Sequence, residues 1–107
     1  MASDEERALL AERILYHRRR RLKIFPSNIF DECAWEMLLG QFVMQTRFGS
    51  VEESKLFAYL GVDTKDGGRW LYLLAKDGQI KPRVGGDQIG LTEGGLSRLR
   101  DFLDLIS

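Results

Sequence analysis

The stretch LGVDTKDGGRWLYLLAKDGQI, from Leu60 to Ile80, contains the end of one helix, a turn, a second helix and the start of a strand. Gly61 is expected to end the first helix, because glycine readily adopts the left-handed conformation of a helix terminus. Asp63 is expected to cap the second helix, which runs to about Lys76 before Gly78 closes it. Two short helices joined by a tight glycine-containing turn form a helix-turn-helix.

Two glycines open this second helix, although glycine inside a helix costs about 1 kcal/mol relative to alanine. Helical spacing puts Gly67, Trp70, Leu71 and Leu74 on one face, which is expected to lie against the core. We interpret Gly67 as making room for Trp70, and Gly68 as allowing the backbone to approach a DNA duplex. The alternative is that both glycines are relaxed positions in a domain that no longer reads DNA.

Three helices are predicted before this stretch. The Ser3–Glu6 pair matches a capping box, and apolar spacing behind it predicts an N-terminal helix over residues 1–22. A second capping box, Ser50–Glu53, predicts a short third helix. Between them a main core helix is expected from Asp31 to near Gln45. Its apolar positions recur at helical spacing: Trp35, Leu38, Leu39, Phe42 and Val43.

A β-hairpin and a last helix are predicted after this stretch. With Gly85–Gly86 as a two-residue loop, Ile80 faces Leu91 across the two strands. Thr92 is expected to cap a C-terminal helix over residues 92–107. Alternation along the hairpin predicts one buried face, made of Ile80, Pro82, Val84, Ile89 and Leu91.

The predicted fold class is mainly α with a small two-stranded β-ribbon. The order of elements predicts a winged helix-turn-helix with N- and C-terminal dimerisation helices. The 107 residues are enough for a single domain with one hydrophobic core. That domain would consist of the N-terminal helix (1–22), a winged-helix core (31–91) and the C-terminal helix (92–107).

The run LGVDTKDGGRWLYLLAKDGQIKPR, followed by IGLTEGG and a leucine-rich helix, resembles the MarR-type winged-helix transcriptional regulators of bacteria. The matching positions are Gly61, Arg69, the LxxxG of Leu74–Gly78, Arg83 and the LTEGG that leaves the wing. The resemblance covers roughly Asp31 to the C-terminus. It implies a homodimer built by the first and last helices, which binds double-stranded DNA as a transcriptional regulator.

Candidate DNA-binding residues lie on the helix face opposite the core, on the wing and in an arginine run. Lys65, Arg69 and Tyr72 are expected to read bases. The remaining side chains are expected to contact the DNA backbone or the minor groove. For the arginines the alternative is a solvated helix end, where cations meet the negative pole of the helix dipole. The complete set is Thr64, Lys65, Gly68, Arg69, Tyr72, Lys81, Arg83, Gln88, Arg18, Arg19, Arg20 and Arg21.

The first and last helices both carry apolar residues that could bind another subunit. A homodimer of this kind would place two reading helices about one DNA turn apart. The alternative is that the first helix packs over the last within one chain. The candidate interface residues are Leu10, Ile14, Leu15, Leu99, Leu103 and Ile106.

The composition favours a cytoplasmic binding protein over an enzyme. Sixteen basic residues balance sixteen acidic ones, so the total charge does not favour nucleic acid, membrane or acidic ligands. Cys33 and His17 are the only cysteine and histidine in the sequence, so one chain is not expected to hold zinc. We expect no catalytic residue, cofactor, metal or membrane partner. A small-molecule effector bound between the terminal helices and the core is a further hypothesis.

A second function class fits the same fold. The domain would be a winged-helix protein–protein interaction module that has lost DNA reading. The zero net charge favours this interpretation, as do Asp66 and Leu73 in the reading helix. In addition, MarR-type wings commonly carry an Asp-x-Arg arrangement, whereas this chain has Asp87 followed by Ile89 at the arginine position.

Overall fold

The computed structural model describes residues 3–24, 33–82 and 88–106, and for residues 20–24 and 106 it describes the backbone alone. Within these residues the chain is mainly helical with a small two-stranded antiparallel sheet, which confirms the predicted class at that level. The elements in chain order are α1 (Asp4–Ile24), α2 (Cys33–Phe48), β1 (Val51–Glu52), α3 (Glu53–Leu60), α4 (Thr64–Lys76), β2 (Gln88–Ile89) and α5 (Glu93–Ile106).

Local capping signals begin three of the helices where they were predicted. The amide of Glu6 donates to the Ser3 hydroxyl at 3.2 Å, as a capping box requires. The Asp63 carboxylate accepts the amide N–H three residues later at 2.8 Å and so caps α4. The Thr92 hydroxyl does the same for α5 at 2.9 Å. Gly61 ends α3 with a φ of 71°, in the left-handed region that glycine favours.

The start of α3 differs from the prediction. The capping box expected at Ser50–Glu53 is not formed, and no side chain caps this helix. The residues before it form β1, in which Val51 pairs with Ile89 and Glu52 pairs with Gln88. Extended pairing with a distant strand therefore replaces a local cap at this point.

The hairpin after α4 has the predicted register at its base. Ile80 and Leu91 form an antiparallel bridge, and the Lys81 amide donates to the opposite strand at 2.8 Å. Pro82 is exposed, whereas it was expected on the buried face. It lies beside an open groove along α4 instead of against the core. The predicted loop and wing positions 83–87 lie outside the described residues.

One hydrophobic core lies between the helices and the small sheet. Every described element contributes to it, and α1 packs along both α2 and α5. Its largest members are Leu15, Met37, Leu39, Phe42, Leu56, Phe57, Leu71, Leu74, Ile80, Ile89, Leu91, Leu99 and Leu103.

A buried polar contact attaches the small sheet to α2. The Gln41 side chain is 1% exposed and its amide donates to the Ile89 carbonyl at 3.0 Å. It also donates to the side-chain oxygen Oε1 of Gln45 at 3.1 Å, and the same oxygen accepts the Leu91 amide N–H at 3.1 Å. These bonds satisfy the buried side-chain nitrogen of Gln41, but not its Oε1, and they fix β2 relative to the main core helix.

The two ends of the described chain are joined by ion pairs. Arg7 lies 2.8 Å from Asp104 and 2.9 Å from Asp4, and Arg100 lies 2.7 Å from Asp4. We call these four side chains the terminal clasp. The clasp fastens the start of α1 to α5, as the intramolecular alternative for the terminal helices requires.

The residues predicted to form a dimer interface are largely used inside the chain. Leu15, Leu99 and Leu103 are buried, and Leu10 and Ile14 are half-buried against the same core. The side chain of Ile106 lies outside the described part of the chain. Buried side chains offer no free surface, so these contacts do not support the dimer, which stays a prediction.

Asp4 is expected to make the stability of the protein sensitive to acid. Its hydrogen bond with Arg100, together with that from Arg7, holds the pKa of this carboxyl below its ordinary value of 3.8. The clasp therefore stabilises the fold fully above about pH 4 and loses this effect as the pH falls through the lowered pKa. Asp4→Asn should lower the free energy of unfolding by about 1 kcal/mol at pH 7, since the pairs are partly solvated. Urea unfolding at several pH values measures this.

The expected difference between Asp4→Asn and wild type shrinks as the pH falls below about 4, and it disappears once the pH is below the lowered pKa of Asp4. Glu5→Gln is the matched control, because Glu5 lies in the same turn with no ion-pair partner among the residues described. A difference for Asp4→Asn that is unchanged between pH 7 and pH 3 would show that the clasp does not act through the charge of Asp4.

Candidate nucleic-acid interface

Helix α4 packs against the core with the predicted face. Gly67, Leu71 and Leu74 are buried, and Trp70 is half-buried against the core. This orientation leaves the opposite face of α4 to solvent. The buried face extends over about two turns, from Gly67 to Leu74, and so defines the direction in which the exposed side chains point.

The exposed face of α4, which we call the α4 surface, carries most of the predicted DNA-reading residues. Tyr72 is 62% exposed, and Gly68 is intermediate because it lies at the edge of the face. Three residues on this surface, Asp66, Leu73 and Lys76, were not among the candidates. Lys76 follows Tyr72 by four residues, so helical spacing was the signal that could have found it. The exposed members are Thr64, Lys65, Asp66, Arg69, Tyr72, Leu73 and Lys76.

The cations of the α4 surface are free to meet a ligand. Across residues 3–24, 33–82 and 88–106, no carboxylate lies within ion-pair distance of Lys65, Lys76 or the neighbouring Lys81. The Arg69 guanidinium lies 5.6 Å from the centroid of the Trp70 ring. Arg13 and Lys55 are also without such partners, but they lie on α1 and α3.

Other cations in the protein are already engaged within the chain. Arg7, Arg18, Arg47 and Arg100 each lie close to a carboxylate of another turn or helix. The Arg98 guanidinium donates to the Gln79 side chain at 3.0 Å. The charges of the ion-paired arginines are thus neutralised locally. Lys65 and Lys76 on the α4 surface have no such carboxylate partner among the described residues.

Negative charge is present at the N-terminal end of α4. Asp66 is exposed in the first turn, and the Asp63 carboxylate is held in the cap. Carboxylates at this end are stabilised by the positive pole of the helix. Arg69 and Lys76 lie beyond these two carboxylates, in the second and last turns of α4, and exposed Asp77 follows Lys76.

A groove of about 440 Å³ runs between α4 and the start of the hairpin. Tyr72 and Lys76 border it on the helix side, and Pro82 borders it on the other. An apolar floor with a lysine at its edge suits the sugar and phosphate of one nucleic-acid strand. The other residues around it are Gly68, Leu71 and Ala75.

Gly67 has a different neighbour from the one predicted. A Cβ on Gly67 would lie 2.4 Å from Cε1 of Phe57, so the glycine makes room for the Phe57 ring and not for Trp70. The ring comes from α3, and its approach could not be inferred from spacing within α4. At Gly68 a Cβ would meet nothing closer than the Glu53 carboxylate at 4.0 Å, which leaves this position open.

Two of the four arginines predicted to bind phosphate, Arg18 and Arg19, are engaged within the fold. The Arg18 side chain is only 11% exposed and lies 3.4 Å from Glu36. Arg19 donates to the Tyr59 carbonyl, and its guanidinium lies 5.2 Å from the centre of the Tyr59 ring. Both arginines are therefore engaged in packing α1 onto its neighbours. The side chains of Arg20 and Arg21 lie outside the described residues.

Two of the three predicted wing residues are exposed. Lys81 and Gln88 lie at the base of the hairpin with their side chains in solvent. Arg83 lies outside the described residues. Lys81 directly precedes Pro82, which borders the groove along α4.

Other kinds of site find few candidate residues. Across the described ranges, no group of three histidine, cysteine or acidic side chains could hold a metal ion. His17 packs edge-on against Tyr16 with 5.6 Å between ring centroids. None of the described helices combines the length and the apolar character needed to cross a bilayer.

Comparison with known proteins does not add to this picture. No family model, no curated protein and no solved structure matches the chain. The resemblance to MarR-type regulators therefore stays a prediction.

Proposed function

We propose that this chain is a winged-helix protein that binds double-stranded DNA in a sequence-specific manner, as a small dimeric bacterial transcriptional regulator. One observation carries the proposal: the α4 surface is exposed, convex and supplied with unpaired cations. A helix of this kind fits the major groove, where side chains reach base edges. Four arginines are paired with carboxylates within the fold, and among the described cations without such a partner Lys65, Arg69 and Lys76 lie together on this surface.

Each part of the surface has a proposed role. Arg69 is central and long enough for a bidentate contact with guanine, and Lys65 and Tyr72 reach neighbouring bases. Lys76 borders the groove beside α4 and Lys81 precedes Pro82 on its other side, and both lysines would contact phosphates of the strand that follows the groove. These contacts need no rearrangement of the described chain, because all five side chains are already in solvent.

Arg69→Ala is expected to weaken binding to a preferred duplex by about 1–3 kcal/mol, since a bidentate arginine–guanine contact is lost. Fluorescence anisotropy with a labelled duplex at low salt measures this. Arg13→Ala is the matched control, because Arg13 is an exposed arginine on α1 without an ion-pair partner among the residues described.

Equal losses in the Arg69→Ala and Arg13→Ala variants would show that α4 does not read bases. Absence of any binding by the wild-type protein to random duplex at low salt would overturn the proposed function as a whole. In either case a check of thermal unfolding is needed, to show that the variants are folded.

A second candidate function is a protein-interaction module, which the presence of Asp66 and Leu73 on the α4 surface favours. An acidic and an aliphatic side chain among cations are common in surfaces that bind protein. Capture of a stoichiometric protein partner from nuclease-treated extract, lost on Tyr72→Ala, would support this second candidate. If the protein has this second function, we also expect it not to bind DNA.

A further inference from the structure

Leu73 is the only leucine of α4 whose side chain is substantially in solvent. It is 44% exposed, whereas Leu71 and Leu74 belong to the core. It follows Arg69 by four residues and precedes Lys76 by three, so it shares their face of the helix. A large apolar side chain thus lies between two cations that have no carboxylate partner within the described ranges.

This arrangement restricts what can cover Leu73. A purely apolar partner would leave the Arg69 and Lys76 charges desolvated without compensation, at a high cost in free energy. The ligand must therefore supply an apolar group and negative charge within one helical turn. Duplex DNA does so in its major groove, where the C5-methyl group of thymine is the apolar feature and phosphates line both edges.

We infer that Leu73 contacts the methyl group of a thymine and makes that base pair part of the recognised sequence. The inference rests on the proposed DNA binding and adds a specificity residue to it. Arg69 and Leu73 are about 6 Å apart along the axis of α4, and base pairs are about 3.4 Å apart. The thymine is therefore about two base pairs from the base that Arg69 reads, when α4 lies along the groove.

The side chains near Leu73 are consistent with a side of α4 that faces the bases. Asp66 lies two turns before Leu73 on the same side of α4, and its carboxylate could accept from the amino group of cytosine. Tyr72 lies on the other side, towards Pro82 and the groove. Leu73 thus faces the bases. Tyr72 and Lys76 border the groove on the protein that is proposed to hold one DNA strand.

The test removes a single methyl group from the DNA. A preferred duplex is first selected from a randomised pool with the wild-type protein, and each thymine in it is then replaced by uracil. We expect about a fourfold loss of affinity at one thymine, the value of one buried methyl group. Leu73→Ala should bind the thymine and uracil duplexes equally, because the contact is already absent.

Two further variants keep the test decisive. Leu9→Ala removes a leucine that is 51% exposed on α1, and it should keep the full thymine-to-uracil difference. Leu73→Met retains an apolar side chain of similar volume and should keep most of that difference. Because Leu73 is largely in solvent and alanine is a strong helix former, Leu73→Ala should fold normally.

The outcomes separate this inference from the proposed function. If the selection enriches no sequence, both are overturned. If a sequence is enriched but no uracil replacement changes its affinity, DNA reading stands and the thymine contact is overturned. A thymine-to-uracil difference that persists in Leu73→Ala would also overturn the assignment to Leu73.

Discussion

Replacing Gly95 with alanine is expected to lower the free energy of unfolding by about 3 kcal/mol or more. A Cβ at this position would lie 2.2 Å from the carbonyl oxygen of Gln79, a distance that requires backbone to move. That carbonyl cannot move without loss, because it accepts the Thr92 amide at 3.1 Å. The Thr92 hydroxyl also donates to the Gly78 carbonyl at 2.7 Å, so the junction of α4, the hairpin and α5 would be disturbed together.

Gly94→Ala is the matched control for this prediction. Its Cβ would come no closer than 3.1 Å to the end of the Arg98 side chain, which is flexible and can turn away. Alanine also gains about 1 kcal/mol in helix propensity at both positions. We therefore expect Gly94→Ala to be neutral or stabilising in urea unfolding. Similar stabilities for the two variants would contradict the close approach of α5 to Gln79.

Gly67→Ala is expected to cost about 2–3 kcal/mol, even though alanine is the better helix former. The added methyl group would overlap the edge of the Phe57 ring, with 2.4 Å between the nearest carbons. Phe57 is buried, so its ring has no free space to enter. Gly68→Ala, one residue later, is the control and should stabilise the protein by up to about 1 kcal/mol.

A double-mutant cycle with Phe57→Leu tests the mechanism of the Gly67 effect. If the overlap is the cause, Gly67→Ala should be far less costly in the Phe57→Leu background, and the two changes should not be additive. Additive costs would show that the helix is weakened for another reason.

DNA affinity of the stabilised Gly68→Ala variant provides a separate test, because an unchanged affinity would contradict a close approach of DNA to this backbone.

Much of the helical framework could be predicted because its signals are local. Ser3, Asp63 and Thr92 each accept a hydrogen bond from an amide three residues away, so a short window of sequence contains both partners. The turn at Gly61 is local in the same way. The base of the hairpin followed from a two-residue loop at Gly85–Gly86, which places Ile80 opposite Leu91.

Other features depend on contacts between residues distant in sequence. Val51 becomes a strand residue through its pairing with Ile89, and two residues are too few to show a periodic pattern. Gly67 is explained by a ring from α3, and Arg18 by a carboxylate on α2. The sequence could indicate that these residues matter, but not which distant residue each would contact.

The candidate site was predictable to a similar extent. Helical periodicity identified the exposed face of α4, because burial of one face determines the opposite one. It did not identify which cations are neutralised, since the partners of Arg18 and Arg19 come from α2 and α3. The unpaired state of Lys76 is equally a property of the folded surroundings.

The turn at Gly78–Gln79 gives α4 and α5 a common pivot. The turn ends α4. Its two carbonyl groups, of Gly78 and Gln79, accept hydrogen bonds from Thr92, the residue directly before α5. The 14 residues of α5 extend about 20 Å from this point, and the terminal clasp grips the helix towards its far end. Helix α5 is therefore held near both of its ends, and the attachment at its start is the same turn that ends α4 beside Lys76.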